Sequence, residues 1–181
     1  MKSFLFSAFF VLSLSHTAGA ETKTSACDVA GPGAAFCQGE TFSRLDGGET
    51  TGMSFWLHQA GYLSKVVVQE VPEEDAVQSD IESLIIDSVS QQAVALGRGF
   101  EFIDLSSATA AGAPFGTLSY NLAHAKGDQA ILHSYVAVKG LIVQVISQIA
   151  IKEASRDPAA LQNAHAEALS ALELTSQDPE T

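Results

Sequence analysis

Apolar and polar residues alternate with a period of two over much of this chain, and the places where that period changes mark its other elements. Met53, Phe55 and Leu57 alternate with Ser54, Trp56 and His58, and a Val-dense run from Tyr62 to Val71 follows the short connection Gln59-Ala60-Gly61. Two such runs joined by a few turn residues predict a β-hairpin. Upstream, Thr41 to Leu45 reads as a short edge strand closed by the turn signal Asp46-Gly47-Gly48. After Pro72 the period becomes helical: Val77, Ile81, Leu84, Ile85, Val89 and Leu96 recur at helix spacing, and Gly97 follows. Pro72 suits a first helical position, and Glu73, Glu74 and Asp75 place negative charge on the first turn. The apolar stripe of this helix must rest on the sheet.

Strand periodicity returns at Phe100, Phe102 and Ile103. The small residues from Ser106 to Pro114 read as a long, mobile loop. Three strands are predicted beyond it, Thr117 to His124, Ala130 to Val138 and Leu141 to Ile151, joined by hairpin turns around Lys126-Gly127-Asp128 and Lys139-Gly140. Asp157-Pro158 then supplies an N-cap and a first-turn proline. Leu161, His165, Ala168, Leu169 and Leu172 form the inward stripe of a second helix, and Thr175 to Thr181 is a polar, acidic tail.

The opening of the chain has a different character. Lys2, an apolar run from Phe4 to Leu14 and the small-residue site Ala18-Gly19-Ala20 have the layout of a secretory signal peptide, with the mature chain beginning near Glu21. The apolar run is too short to cross a hydrocarbon core, which needs about 20 residues. The expectation is therefore a signal over residues 1–20, a disulfide-closed segment over 21–40, one α+β domain over 41–174 and a tail over 175–181. Loss of Lys2 leaves 8 basic against 21 acidic residues, a formal net charge of −13. Such an excess disfavours nucleic acid and anionic membranes, since counterion release needs clustered cations. Export also makes a bridge between Cys27 and Cys37 the default, worth roughly 3 kcal/mol in the chain-entropy account. A redox-active pair is the alternative, although its usual spacing is C-x-x-C.

The segments Gly116-Thr117-Leu118-Ser119-Tyr120, His133-Ser134-Tyr135-Val136-Ala137-Val138, Gly140-Leu141-Ile142-Val143-Gln144-Val145 and the helix ending Ala168-Leu169-Ser170-Ala171-Leu172 carry a family resemblance. In this order they are similar to the Mog1/PsbP-like fold and, within it, to bacterial DcrB-type proteins. The resemblance spans roughly Thr41 to Leu174 and is a pattern of elements more than a motif. It implies an α+β, three-layer α/β/α domain around an antiparallel sheet, in the order β-β-α-β-β-β-α. It implies accessory or binding roles and no shared reaction, and it transfers no functional residues.

Two-residue turns between the last strands set Val136, Ser134 and Leu132 beside Val143, Val145 and Ser147 on an aliphatic face. The same register gathers Tyr120, His133, Tyr135, Gln144, Ile146 and Gln148 on the other face, with His124 near the hairpin end. Tyr and His combine an apolar body with a polar tip, so Tyr120, His124, His133, Tyr135, Gln144 and Gln148 are the candidate binding residues. The ordinary alternative is a face partly covered by a helix and otherwise solvated. No catalytic motif is present: Ser119, His124 and Asp128 surround one hairpin without a G-x-S-x-G elbow. No metal set is present either, because His124 and His133 lack a third ligand in a recognised spacing. His165 reads as a packing histidine. The expectation is an exported, non-catalytic accessory or binding protein of the cell envelope, without cofactor, contacting a protein or small ligand through the Tyr120–His133–Tyr135 face and the Ser106 to Pro114 loop. Two rivals are a small periplasmic hydrolase or metal-dependent enzyme using His124 or His133, and a structural subunit of an envelope assembly.

Overall fold

A computed structural model describes residues 27–37, 39–45, 52–72, 77–95, 97, 99–123, 127–138, 140–154 and 156–174. The signal segment 1–20, the tail 175–181, His124, Leu96, the acidic run 73–75 and the Asp46-Gly47-Gly48 turn lie outside them. The elements in chain order are β1 (Cys27–Gly31), β2 (Ala34–Cys37), β3 (Phe42–Arg44), β4 (Met53–His58), β5 (Leu63–Glu70), α1 (Gln78–Ala95), β6 (Phe100–Ala110), β7 (Ala113–Leu122), β8 (Gln129–Val138), β9 (Leu141–Ala150), α2 (Ile151–Ala154), α3 (Pro158–Ser170) and β10 (Leu172–Leu174).

Strands β3 to β9 build a seven-stranded antiparallel sheet in the order β3-β4-β5-β9-β8-β7-β6. A second, three-stranded sheet has the order β1-β2-β10. Helix α1 covers one face of the large sheet, where Ile81, Ile85 and Ala93 pack with Leu118, Tyr120, Leu122, Ile131 and Tyr135. The other face is covered by α3 and the small sheet, which meet it through residues such as Phe36, Ala168, Leu169 and Leu172 against Trp56, Val66, Val143 and Val145. The layering is therefore α/β/α with a β-sheet sharing the third layer.

The alternation in β4 and β5 has a physical sorting behind it. Ser54, Trp56 and His58, with Ser64, Val66 and Val68, are buried, whereas Met53, Phe55 and Leu57 are half-buried on the α1 side. Trp56 is fully enclosed, stacks on Phe36 at 4.3 Å and donates from Nε1 to Ser54 Oγ at 3.0 Å. The small sheet makes this the drier face. Its strands are tied by the Cys27–Cys37 disulfide, whose residues face one another across β1 and β2. The disulfide segment is thus part of the core: β2 pairs with β10, which brings the two ends of the described chain together.

Several expected boundaries move. The Ser106 to Pro114 stretch is not a loop: β6 runs through it to Ala110 and turns at Ala111-Gly112 into β7. Small residues can line an edge strand as readily as a loop, because an edge need not fill a core. Four strands lie between α1 and α2, the one that begins at Phe100 and the three read beyond it, where the order implied by the resemblance has three. The last strand ends at Ala150, and α3 ends at Ser170, with Leu172 opening β10 instead of closing the helix. Asp157 caps α3 as expected, accepting from Ala160 N at 3.2 Å. Helix α1 starts at Gln78, so Pro72 and Val77 precede it, and its stripe is narrower than the spacing implies, since Leu84 is 63% exposed. One helix spans only part of a broad sheet, so residues at the margins of its stripe meet water.

Candidate functional site

The register around the candidate residues is the one the hairpin turns imply: Val136 faces Val143, Ser134 faces Val145 and Leu132 faces Ser147. Tyr120, His133, Tyr135 and Gln144 consequently share the opposite face, but α1 lies over it and all four are buried. His133 donates from Nε2 to Gln144 Oε1 at 2.9 Å, which leaves Nδ1 to accept from the Tyr120 hydroxyl at 3.4 Å. Gln144 continues the chain through Nε2 to Gln69 Oε1 at 3.4 Å. Tyr135 donates its hydroxyl to Glu82 of α1, and Gln78 of the same helix bonds the backbone of Tyr135 and Ala137. Gln148 is half-buried opposite Leu63 and Ile131 and joins none of these bonds.

Burial lowers the His133 pKa to about 4; the hydrogen bond with Gln144 opposes the shift, and the Lys65 charge adds to it. Lys65 is itself pushed down by burial. Burial raises the phenols of Tyr120 and Tyr135, and Glu82 adds to the second. His133, Tyr120 and Tyr135 are therefore in their neutral forms near pH 7, with Glu82 held against Tyr135. The polar aromatic face is a satisfied interior layer that docks α1, not an open surface; tyrosine on a strand reports polarity, whereas the helix above decides access.

A second polar chain, missed in the sequence, runs through the other face. Ser64 Oγ lies 2.9 Å from Ser147 Oγ, which is 2.9 Å from His165 Nδ1; His165 Nε2 is 2.7 Å from Ser134 Oγ, and that hydroxyl is 2.6 Å from Thr117 Oγ1. Burial lowers the His165 pKa to about 4, with a smaller contribution from the His133 charge. Serine at alternate positions among Val and Leu was the signal available for this network. Its Ser–His pair has the residue types of a nucleophile and base, but Ser134 has 0% exposure and no substrate could reach it. Among the described residues, no buried side-chain nitrogen or oxygen lacks a hydrogen-bond partner.

Two further constellations lie nearer the surface. His58 accepts from Ala60 N at Nδ1, 3.1 Å away, so its Nε2–H donates to Glu167 Oε2 at 3.1 Å. Glu167 borders an open groove of about 520 Å³ between α3 and Gly39, Thr41 and Phe42. Cys27, Cys37 and Glu173 cluster tightly, but the disulfide consumes both sulfurs as ligands.

The exposed part of the sheet is its β6 edge. Residues 101–109 are all exposed, and Phe102, Ile103 and Leu105 are 45%, 54% and 45% accessible. A bulge between Phe102 and Asp104 inserts Ile103 as an extra residue, after which Leu105 to Ala110 pair regularly with β7. At the opposite end of the sheet β3 has only three residues, with Phe42 buried.

The described chain therefore sets seven antiparallel strands between one helix and a helix-plus-sheet layer, an arrangement found in solved structures. It matches the solution structure of cyanobacterial PsbP, CyanoP, from Synechocystis sp. PCC 6803, with a TM-score of 0.57 at 15% identity over 78% of this chain and 86% of that one. The fold is Mog1/PsbP-like. A crystal structure from Bacteroides thetaiotaomicron VPI-5482 is also similar, with a TM-score of 0.55 at 7% identity over 84% of this chain and 49% of that one, so the chain spans about half of that protein. No family model and no curated protein sequence matches the chain. The PsbP-like likeness shows the fold. It assigns no reaction. No described helix is long and apolar enough to cross a membrane.

Proposed function

We propose that this chain is an exported, non-catalytic accessory or binding protein of the cell envelope that works by docking a protein partner along its β6 edge. The observation that carries this reading is the edge itself: a strand of 11 residues, exposed from Glu101 to Thr109, at the end of an otherwise layered sheet. Long, exposed, partly apolar edges are templates for pairing, and proteins ordinarily shorten or cover them. The Cys27–Cys37 disulfide and the leader-like start support an oxidising, exported setting. The inward placement of His133, Tyr120 and Tyr135 moves the expected contact from the polar face to the strand beside it. The Ser106 to Pro114 stretch belongs to the proposed contact as strand and turn.

A photo-crosslinking amino acid placed at Leu105, and in a control at Ser43 on β3, tests the docking edge in the native envelope. The expected result is a discrete adduct from position 105 and none from position 43. Equal adducts from both positions, or none from either, would overturn it.

A further inference from the structure

We infer that the Leu105–Ala110 half of β6 accepts an added strand, an extended segment of a partner protein that alternates apolar residues with Lys or Arg. The inference rests on the docking role of β6 and names the chemistry of what docks.

The backbone parity can be read from one residue. Thr109 faces Pro114, and proline has no N–H to give, so this pair occupies a non-hydrogen-bonded position of the antiparallel ladder. The same parity follows from the turn: Ala111 and Gly112 have φ of 49° and 73°, and such a two-residue turn is closed by a hydrogen-bonded pair, here Ala110 and Ala113. Hydrogen-bonded and non-hydrogen-bonded pairs alternate, so Ser107, facing Gly116, and Leu105, facing Leu118, share the parity of Thr109. The N–H and C=O groups of Leu105, Ser107 and Thr109 therefore point away from β7, along the open edge. Those of Ser106 and Ala108 point into the sheet.

This half of the strand has no device against pairing. Edges are usually guarded by Lys, Pro, a bulge or an inward charge. The bulge and the carboxylates of Glu101 and Asp104 all precede Leu105, and the run Leu105-Ser106-Ser107-Ala108-Thr109-Ala110 has no charge, proline or bulge. Its surroundings select the sign of the partner. Helix α1, β6 and β7 together contain five Asp or Glu and no Lys or Arg. Asp80 and Asp87 of α1 are exposed, as are Glu101 and Asp104. A cationic strand is drawn to this region, and its apolar side chains meet Leu105 and Phe102. A second copy of this chain fits poorly, because each copy has a formal net charge of −12 and brings the same acids to the same edge.

Amide hydrogen exchange of the intact mature protein tests this with a blocked peptide of alternating Val and Lys long enough to span Leu105–Ala110. The peptide should slow exchange at Leu105, Ser107 and Thr109 and leave Ser106 and Ala108, already bonded to β7, unchanged. A Glu-for-Lys peptide and a peptide with its edge-facing amides N-methylated should give no protection. Ser107→Pro removes an outward N–H without touching the β7 ladder, so it should abolish protection, whereas Ser107→Ala should retain it; Thr109→Pro repeats the test if Ser107→Pro does not fold. Equal protection by all three peptides, or none by any, overturns strand addition. Protection that rises with protein concentration without peptide overturns it in favour of self-pairing. A failed peptide arm beside a specific adduct at position 105 would leave the docking edge intact and remove only the strand-addition mechanism.

Discussion

His133 and His165 lie on opposite faces of one sheet, and each uses both ring nitrogens within a closed hydrogen-bond chain. Burial holds both pKa values at about 4, below the ordinary 6.5. The unfolded chain therefore binds protons that the folded one refuses. Stability from these groups is fully present above about pH 6.5 and is lost as pH falls towards 4, on the order of 3 kcal/mol for each imidazole. Urea unfolding between pH 7 and pH 4 should show this fall, and His165→Gln should make it shallower while lowering stability at pH 7. An unchanged pH slope in that variant would place the acid sensitivity elsewhere. Gly116 is the other telling residue. A Cβ there would sit 2.6 Å from Cζ of the fully buried Tyr135 ring. Gly116→Ala should cost about 1–3 kcal/mol through overpacking, read as a lower urea midpoint with an unchanged slope. Hairpin register already grouped Tyr120, His133 and Gln144, but their burial and the whole His165 network could not be read from the sequence, because the helices that cover the sheet meet it only in the fold.

At the scale of elements, the small sheet is where a covalent bond and tertiary pairing reinforce each other. Cys27 and Cys37 close a loop with a sequence separation of 10, and β2 also pairs with β10 at the other end of the described chain. Replacing both cysteines by Ser should cost roughly 3 kcal/mol in the chain-entropy account. Exchange should rise first in β1, β2 and β10, whose anchor is lost, and later in β8 and β9; simultaneous loss of protection in all of them would show one cooperative unit instead. The helices follow the same division between local and tertiary causes. Helix α3 starts where Asp157 and Pro158 say it should, since a cap is a local bond. Its end is set by Leu172, which leaves the helix to pair with Phe36. Strand β6 was hidden for a related reason: Ser, Ala and Thr have no core to fill on an edge, so their pattern resembled a loop until β7 was there to pair with them.

For the molecule as a whole, the proposed export predicts a mature chain that begins at Glu21, and intact mass measurement of the chain recovered from the producing cell, without reductant, should show that start together with oxidised Cys27 and Cys37. A mass that retains residues 1–20, or two free thiols, would remove the basis for an envelope role.

What the sequence determined by itself was whatever depends on neighbours along the chain. Periodicity revealed the hairpin of Met53 to Val71, the amphipathic character of α1, the register of β8 against β9, and the cap of α3. The α+β class followed from these elements, and the Mog1/PsbP-like fold from the resemblance carried by their segments. Only the tertiary structure decided access. It laid α1 over Tyr120, His133, Tyr135 and Gln144 and turned a candidate surface into an interior network. It joined Ser64, Ser147, His165, Ser134 and Thr117 across five elements. It also left β6 at the end of the sheet with its outward backbone groups unpaired by a neighbouring strand. Alternation along a strand tells which residues share a face, but whether that face meets water or another layer depends on segments remote in sequence.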